Sequence, residues 1–260
     1  MAKVVTLDKG SQITLKRKNP QQESLQYWIN NTKKGVLNKK NSTLNIEENA
    51  LIPGSNLLHV SSKKNKRYKV GTFQNWKVKA AANSSFETID IGRSFNSKVT
   101  NIFKQEYMEP RPTSPTLQLP TQGIGNWCYP FIAPEIDATG IKQKAAANNG
   151  NIIYNNIPFK IAPKNANDIV FTSQWDNFPE KIQIKLSGKA KHLYLLMAGT
   201  TNPMQSNITN GEIIVHYKDG THTNLPLKNP ENWWPIEQDY YTDNFAFTTK
   251  APKPPRVHLK

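Results

Sequence analysis

Cysteine occurs once, at Cys128, which excludes an internal disulfide and any cysteine-built zinc cage. Long apolar runs are absent: nothing approaches the ~18–20 uninterrupted residues that a membrane-spanning helix needs. The opening MAKVVTLDKGSQ also lacks the apolar segment of a secretory signal. Helical periodicity is scarce. So are the usual catalytic signatures: there is no Gly-rich loop leading into a helix, no HExxH, no Gly-x-Ser-x-Gly and no Cys/His ligand cluster. Arginine is rare too, with only Arg17, Arg67, Arg93, Arg111 and Arg256 among 34 basic residues. Specific readout of bases and phosphates favours the bidentate guanidinium, so the lysine excess argues weakly for a nucleic-acid partner.

What is present is enough apolar matter for a core. Hydrophobic residues make up 37% of 260 and aromatics 10%, which sets the chain apart from disordered tails, collagens and coiled coils. The formal charge of +15 is unevenly placed. Residues 1–104 hold 19 Lys and Arg against 6 Asp and Glu, whereas residues 105–260 hold 15 against 13. The basic clusters, Lys16-Arg17-Lys18, Lys33-Lys34, Lys39-Lys40 and Lys63 to Arg67, sit beside Asn, Gln and Ser, as turn tips between strands do. They are read as solvated loop lysines, and no nucleic acid is expected as a partner.

Short alternating or β-branched runs bounded by Gly, Pro, Asn and Asp predict an all-β protein of two β-sandwich domains. The first, basic domain spans 1–84, with strands at Lys3–Leu7, Gln12–Lys16, Leu25–Ile29, Thr43–Ile46, Leu57–Val60, Tyr68–Phe73 and Trp76–Ala80. The second spans 85–260 and is expected to be a jelly roll. It opens on the alternating run Phe86–Ile91. A long Pro-rich strap over 105–150 follows, because Pro110, Pro112 and Pro115 exclude helix and central strand. Lys142–Asn151 is read as a polar loop ending it. Further strands are predicted at Ile152–Tyr154, Ile169–Phe171, Lys181–Leu186, His192–Ala198, Glu212–Tyr217, Thr223–Leu227 and Asn244–Thr248. Leu193–Met197, apolar on both faces, reads as a buried central strand. Asp219-Gly220 between alternating runs is a strong hairpin signal.

The five histidines, His59, His192, His216, His222 and His258, are scattered and read as structural. The densest polar and aromatic grouping is Asn229–Asp243, which holds Trp233, Trp234, Tyr240 and Tyr241 among the carboxylates Glu231, Glu237, Asp239 and Asp243. A sugar ring offers an apolar C–H face with a hydroxyl rim, which an aromatic platform flanked by carboxylates and amides complements. Trp175, Asp176 and Asn177 repeat the grouping. The bland reading has each Trp plugging the end of a sandwich and each acid capping a loop. Glu237 and Asp239 are low-ranked catalytic candidates, since residues two apart on a strand face the same way at about 7 Å. Glycoside hydrolysis needs its two carboxyls roughly 5–9.5 Å apart. Clustered acids could also hold Ca2+ through oxygen, yet the dense spacing of a calcium loop is missing, so no cofactor is expected.

The string FPEKIQIKLSGKAKHLYLLMAGTTNPMQS followed by NGEIIVHYKDGT resembles the galactose-binding-like modules of large bacterial polysaccharide-degrading proteins. There a strand follows a Gly-Lys-Ala turn, as at Gly188–Ala190, and a Tyr-x-Asp-Gly-Thr hairpin comes next, as at Tyr217–Thr221. GIGNWCYP, FTSQWDNFP and NPENWWPIEQDYY resemble, more narrowly, an uncharacterised group of long Bacteroidetes-type glycoside-hydrolase-like proteins. The resemblance covers about residues 86–260. It implies a non-catalytic accessory region of a secreted or periplasmic parent protein, whose partners are a glycan or polysaccharide and a neighbouring catalytic domain. The ends of the chain read as those of a fragment. The alternatives are a purely structural brace for that domain and a glycosidase site at Glu237 and Asp239.

Overall fold

The computed structural model describes residues 2–7, 10–15, 24–38, 43–61, 67–102, 104, 136–173, 177–200, 208–228, 232–233 and 236. Cys128, most of the Pro-rich strap and the predicted strand Asn244–Thr248 lie outside them. The described chain is mainly strand, in antiparallel sheets, with one short helix. No helix among these residues is long and apolar enough to cross a membrane. Contacts divide the chain into two compact units. Among the described residues, one holds those up to Phe86 together with Asn155–Ile157, and the other holds Glu87–Tyr154 and those of 158–236.

The first unit contains a three-stranded sheet in the order β1-β2-β5 (Ala2–Leu7, Gly10–Leu15, Thr43–Ile46). It also contains a four-stranded sheet in the order β4-β3-β6-β7 (Thr32–Leu37, Leu25–Ile29, Gly54–Ser61, Arg67–Asn75). Period-two alternation sends Leu44 and Ile46 inward from β5, where they share one core with Ile29, Leu37, Leu58 and Phe73 of the larger sheet. In β6 the alternation of burial breaks after Leu58, and at the same point β7 bulges, with Val70 the extra residue between the partners Gly71 and Lys69. Predicted strand Trp76–Ala80 is irregular chain instead, although Val78 is buried in the core. Strand β4 was not foreseen, since Lys33-Lys34 resembles a turn tip. It is an edge strand, where exposed lysines discourage pairing with another chain.

Two side chains organise this unit. Asn56 is fully buried; its Oδ1 accepts from Ile52 N–H at 2.9 Å and Asn30 Nδ2 at 2.8 Å, and its Nδ2 donates to the Ile52 and Gly54 carbonyls. Asn30 in turn takes the Leu57 amide at 2.9 Å. Asn155 and Asn156 donate to the Trp76 and Ala80 carbonyls at 3.0 and 2.8 Å.

In the second unit, helix α1 (Thr139–Ala146) corrects the expectation that 105–150 is strap and Lys142–Asn151 loop. Ala138, Ile141 and Ala145 fall at i, i+3 and i+7 and pack with Val99 and Ile152. Asp137 Oδ1 accepts the Thr139 amide at 2.8 Å to start the helix. Asn149 and Gly150, with φ of 51° and 80°, end it, and the Gly150 amide reaches back to the Ala145 carbonyl. After α1 comes the hairpin β8–β9 (Asn151–Tyr154, Ile157–Lys160), and hairpin β10–β11 (Thr209–His216, His222–Lys228) follows later in the chain.

Other strand predictions for this unit are corrected. Phe86–Ile91 carries no ladder, and Ile169 makes only an isolated bridge to Ser97. Lys181–Leu186 and His192–Ala198 are irregular as well. Leu193–Met197 is not a buried core strand: Leu193, Leu195 and Leu196 are each more than 40% exposed. Apolar composition reports what a segment would gain by burial, and cannot say that a neighbour is there to bury it.

Candidate functional site

Of the candidate carbohydrate-binding residues, Asn177 and Trp233 are described. Trp175, Asp176, Trp234, Glu237, Asp239, Tyr240 and Tyr241 lie outside the described residues. The roots of both stretches are described.

The first stretch is closed at its base, where the Ser173 amide donates to the Pro179 carbonyl at 3.1 Å. Asn177, half-buried, precedes Phe178, whose ring meets Phe171 edge-on with centroids 4.6 Å apart. The second stretch is stapled to the end of β11. Asn232 N–H donates to the Lys228 carbonyl, its Oδ1 accepts the Lys228 amide at 2.8 Å, and its Nδ2 donates to the Pro226 carbonyl at 2.7 Å. Four residues on, the Ile236 amide bonds the Gly199 carbonyl at 2.9 Å.

Trp233 lies against Gly199 so closely that a β-carbon there would come within 2.4 Å of the indole. Its Nε1 is buried with no hydrogen-bond partner among the described residues. Trp233, half-buried, thus packs part of its indole on the Gly199 backbone. The two stretches converge, because Phe178 and Ile236 pack on the same cluster around Ile102 and Phe171. Nothing in the spacing of the sequence brought these two segments, more than fifty residues apart, to one place.

Elsewhere charge is arranged locally. The Asp90 carboxyl is held below the ordinary aspartate range by its hydrogen bond from Lys160 at 2.6 Å and then by the Gly92 amide. Asp219 is lowered by the Thr221 hydroxyl and amide. Burial lowers His192, with Lys191 adding to the effect, and burial raises Tyr194. No group of three metal-ligating side chains occurs among the described residues.

A feature the sequence reading missed is the register of β10–β11. The loop of that hairpin has three residues, Lys218 to Gly220: the Tyr217 amide bonds the Thr221 carbonyl, and Gly220, at φ 83°, donates back to Tyr217. His216 therefore stands directly opposite His222, with ring centroids 5.9 Å apart. Had Asp219-Gly220 formed a two-residue loop, Tyr217 would have faced His222 instead. Comparison of the chain with family models, curated proteins and solved structures finds no match.

Proposed function

We propose that this chain is a non-catalytic, glycan-directed accessory region of an exported polysaccharide-degrading protein. In this reading its two units are β-sandwiches, the second of galactose-binding-like type. Carbohydrate binds through the aromatic and acidic stretches Trp175–Asn177 and Trp233–Tyr241. The observation that supports it is the convergence of Phe178 and Ile236 on one apolar cluster, which roots both stretches on a common base. Binding through loops needs such a rigid base, because ordering a mobile loop on contact with ligand subtracts from affinity.

Titration with a panel of neutral and acidic oligosaccharides, followed by tryptophan fluorescence, tests the reading. A saturable response is expected, and it should be lost in Trp234→Ala and weakened in Trp175→Ala. A flat response across the panel would remove the binding claim.

The second reading, a purely structural brace for a neighbouring catalytic domain, is favoured by the way Trp233 spends its ring on Gly199. It predicts no glycan response together with loss of stability in Trp234→Ala. Turnover of a glycan that vanishes in Glu237→Gln would replace both readings with a glycosidase.

A further inference from the structure

We propose that His216 and His222 form a two-histidine site for a divalent transition-metal ion at the end of hairpin β10–β11. The proposal rests on the hairpin register and uses none of the residues of the glycan reading.

The two residues are direct partners across the ladder. The next pair toward the loop, Tyr217 and Thr221, is a hydrogen-bonded one. Pairs alternate along an antiparallel ladder, so His216 and His222 form a non-hydrogen-bonded pair, the kind in which side chains approach most closely. Their rings lie 5.9 Å apart, centre to centre, with planes inclined by 41°. A nitrogen ligand sits at about 2.0–2.1 Å from a metal, which puts the imidazole centre roughly 3 Å from the ion. Two rings sharing one ion therefore stand at most about 6 Å apart, and the observed pair lies within that limit.

The backbone beneath is held before any ion arrives. Asp219 Oδ1 accepts both the amide and the hydroxyl of Thr221, at 2.9 and 2.6 Å, and the Tyr217 hydroxyl bonds Thr223 Oγ1 at 3.2 Å on the opposite face. Holding ligands in place before binding lowers the entropy that binding must remove. Along the histidine face the next polar pair is Glu212 and Asn224, which bond each other at 3.2 Å, with Glu212 two alternations further from the loop. Among the described residues the hairpin thus offers two imidazoles and leaves the remaining coordination positions to water. Imidazole donors suit Cu2+, Ni2+ and Zn2+ rather than Ca2+ or Mg2+, and among the divalent ions Cu2+ binds such ligands most tightly.

The test is titration of the full chain with Cu2+, read by calorimetry and by the electron paramagnetic resonance of nitrogen-coordinated copper. His216→Asn and His222→Asn should each weaken the principal site at least tenfold, while His192→Asn and His59→Asn leave it unchanged. A further variant exchanges neighbours, His222→Thr with Thr223→His. It keeps composition and charge but sends one imidazole to the other face of the ribbon, and it should lose the site. Circular dichroism checks that each variant is folded, as expected for exposed positions. Undiminished affinity in the exchanged variant, or equal loss in His192→Asn, overturns the proposal.

Discussion

Lys142 Nζ lies 2.6 Å from Asp168 Oδ2, while Oδ1 of the same carboxylate accepts the Val99 amide at 2.7 Å. Both side chains are largely withdrawn from water, at 17% and 6% exposure. One carboxylate thereby ties the middle of α1 to the 3-10 turn at Val99–Asn101. Removing one member of a buried ion pair leaves the other charge without compensation, at a cost of about 3–5 kcal/mol. Asp168→Asn should destabilise the second unit by about that amount. Lys142→Met combined with Asp168→Leu should cost less than the sum of the two single changes, as measured by urea denaturation in a double-mutant cycle.

Asn56 plays the comparable part in the first unit. It engages four partners with no access to water. Asn56→Leu keeps the approximate volume but strands the Ile52 amide and carbonyl together with Asn30 Nδ2. Each buried group left unsatisfied costs about 1–3 kcal/mol, so the variant should unfold at markedly lower denaturant than the parent. Asn30→Ala should recover part of the same loss in the double variant, because the two amides act on each other.

The hairpin β3–β4 turns on Asn30 and Asn31, with φ of 49° and 68°, and β8–β9 turns on Asn155 and Asn156, with φ of 49° and 63°. Positive φ at both central residues is the type I′ geometry that suits the twist of the strands, and Asn tolerates it. Asn31 is exposed at this turn, whereas Asn30 bonds Asn56 and Leu57. Asn31→Gly should therefore be neutral or stabilise by a few tenths of a kcal/mol, since Gly adopts this conformation without strain. Asn30→Gly should destabilise by at least about 1 kcal/mol through the hydrogen bonds it loses. Equal effects at the two positions would contradict this division of labour.

These turns show how far the sequence could be read. Short apolar-rich strands with a clear end, Leu25–Ile29 and the strictly alternating Thr43–Ile46, were legible to the residue. Strands β4 and β9, the hairpin partners of β3 and β8, were not, because Ile29-Asn30-Asn31-Thr32 and Tyr154-Asn155-Asn156-Ile157 carry a turn signal in asparagine where glycine is the more familiar one. Helix α1 was missed for a related reason. Its stripe is Ala138, Ile141 and Ala145, small and short, inside a run whose remaining residues are polar. The aromatic stretches stood out by composition, but their convergence did not, since it depends on Ile102 and Phe171, which nothing in the local pattern links to them. The histidine pair depended on one residue of loop length, which periodicity does not encode.

Two exposed carboxyls should titrate abnormally. Asp219 and Asp90 are held below the ordinary aspartate value, the first by Thr221 and the second by Lys160. A depressed folded-state value means that each group favours the native state above its unfolded pKa, and that this contribution fades as pH falls through the folded value. The window is thus at and below about pH 4, where unfolded aspartates take up protons. Carbon-detected NMR titration should place both groups below the other exposed aspartates. Thr221→Val should return Asp219 upward without moving Asp90.

Gly199 is the position where the packing of Trp233 can be disturbed by a single methyl group. A β-carbon at 2.4 Å from the indole cannot be accommodated, so Gly199→Ala must displace the ring or the backbone that carries it. The backbone is also committed, because the Gly199 carbonyl holds the Ile236 amide. Overpacking of this kind costs about 1–3 kcal/mol. A red shift in tryptophan emission should accompany the loss of stability as the indole becomes more exposed. If the aromatic stretch binds glycan from a rigid base, Gly199→Ala should also weaken the fluorescence response to oligosaccharide while leaving Trp234 in the chain. Gly199→Ala with Trp233→Leu, which relieves the clash by shortening the side chain, should recover stability without restoring the native emission. Unchanged stability in Gly199→Ala would mean that Trp233 is not held as tightly as its contact with Gly199 requires.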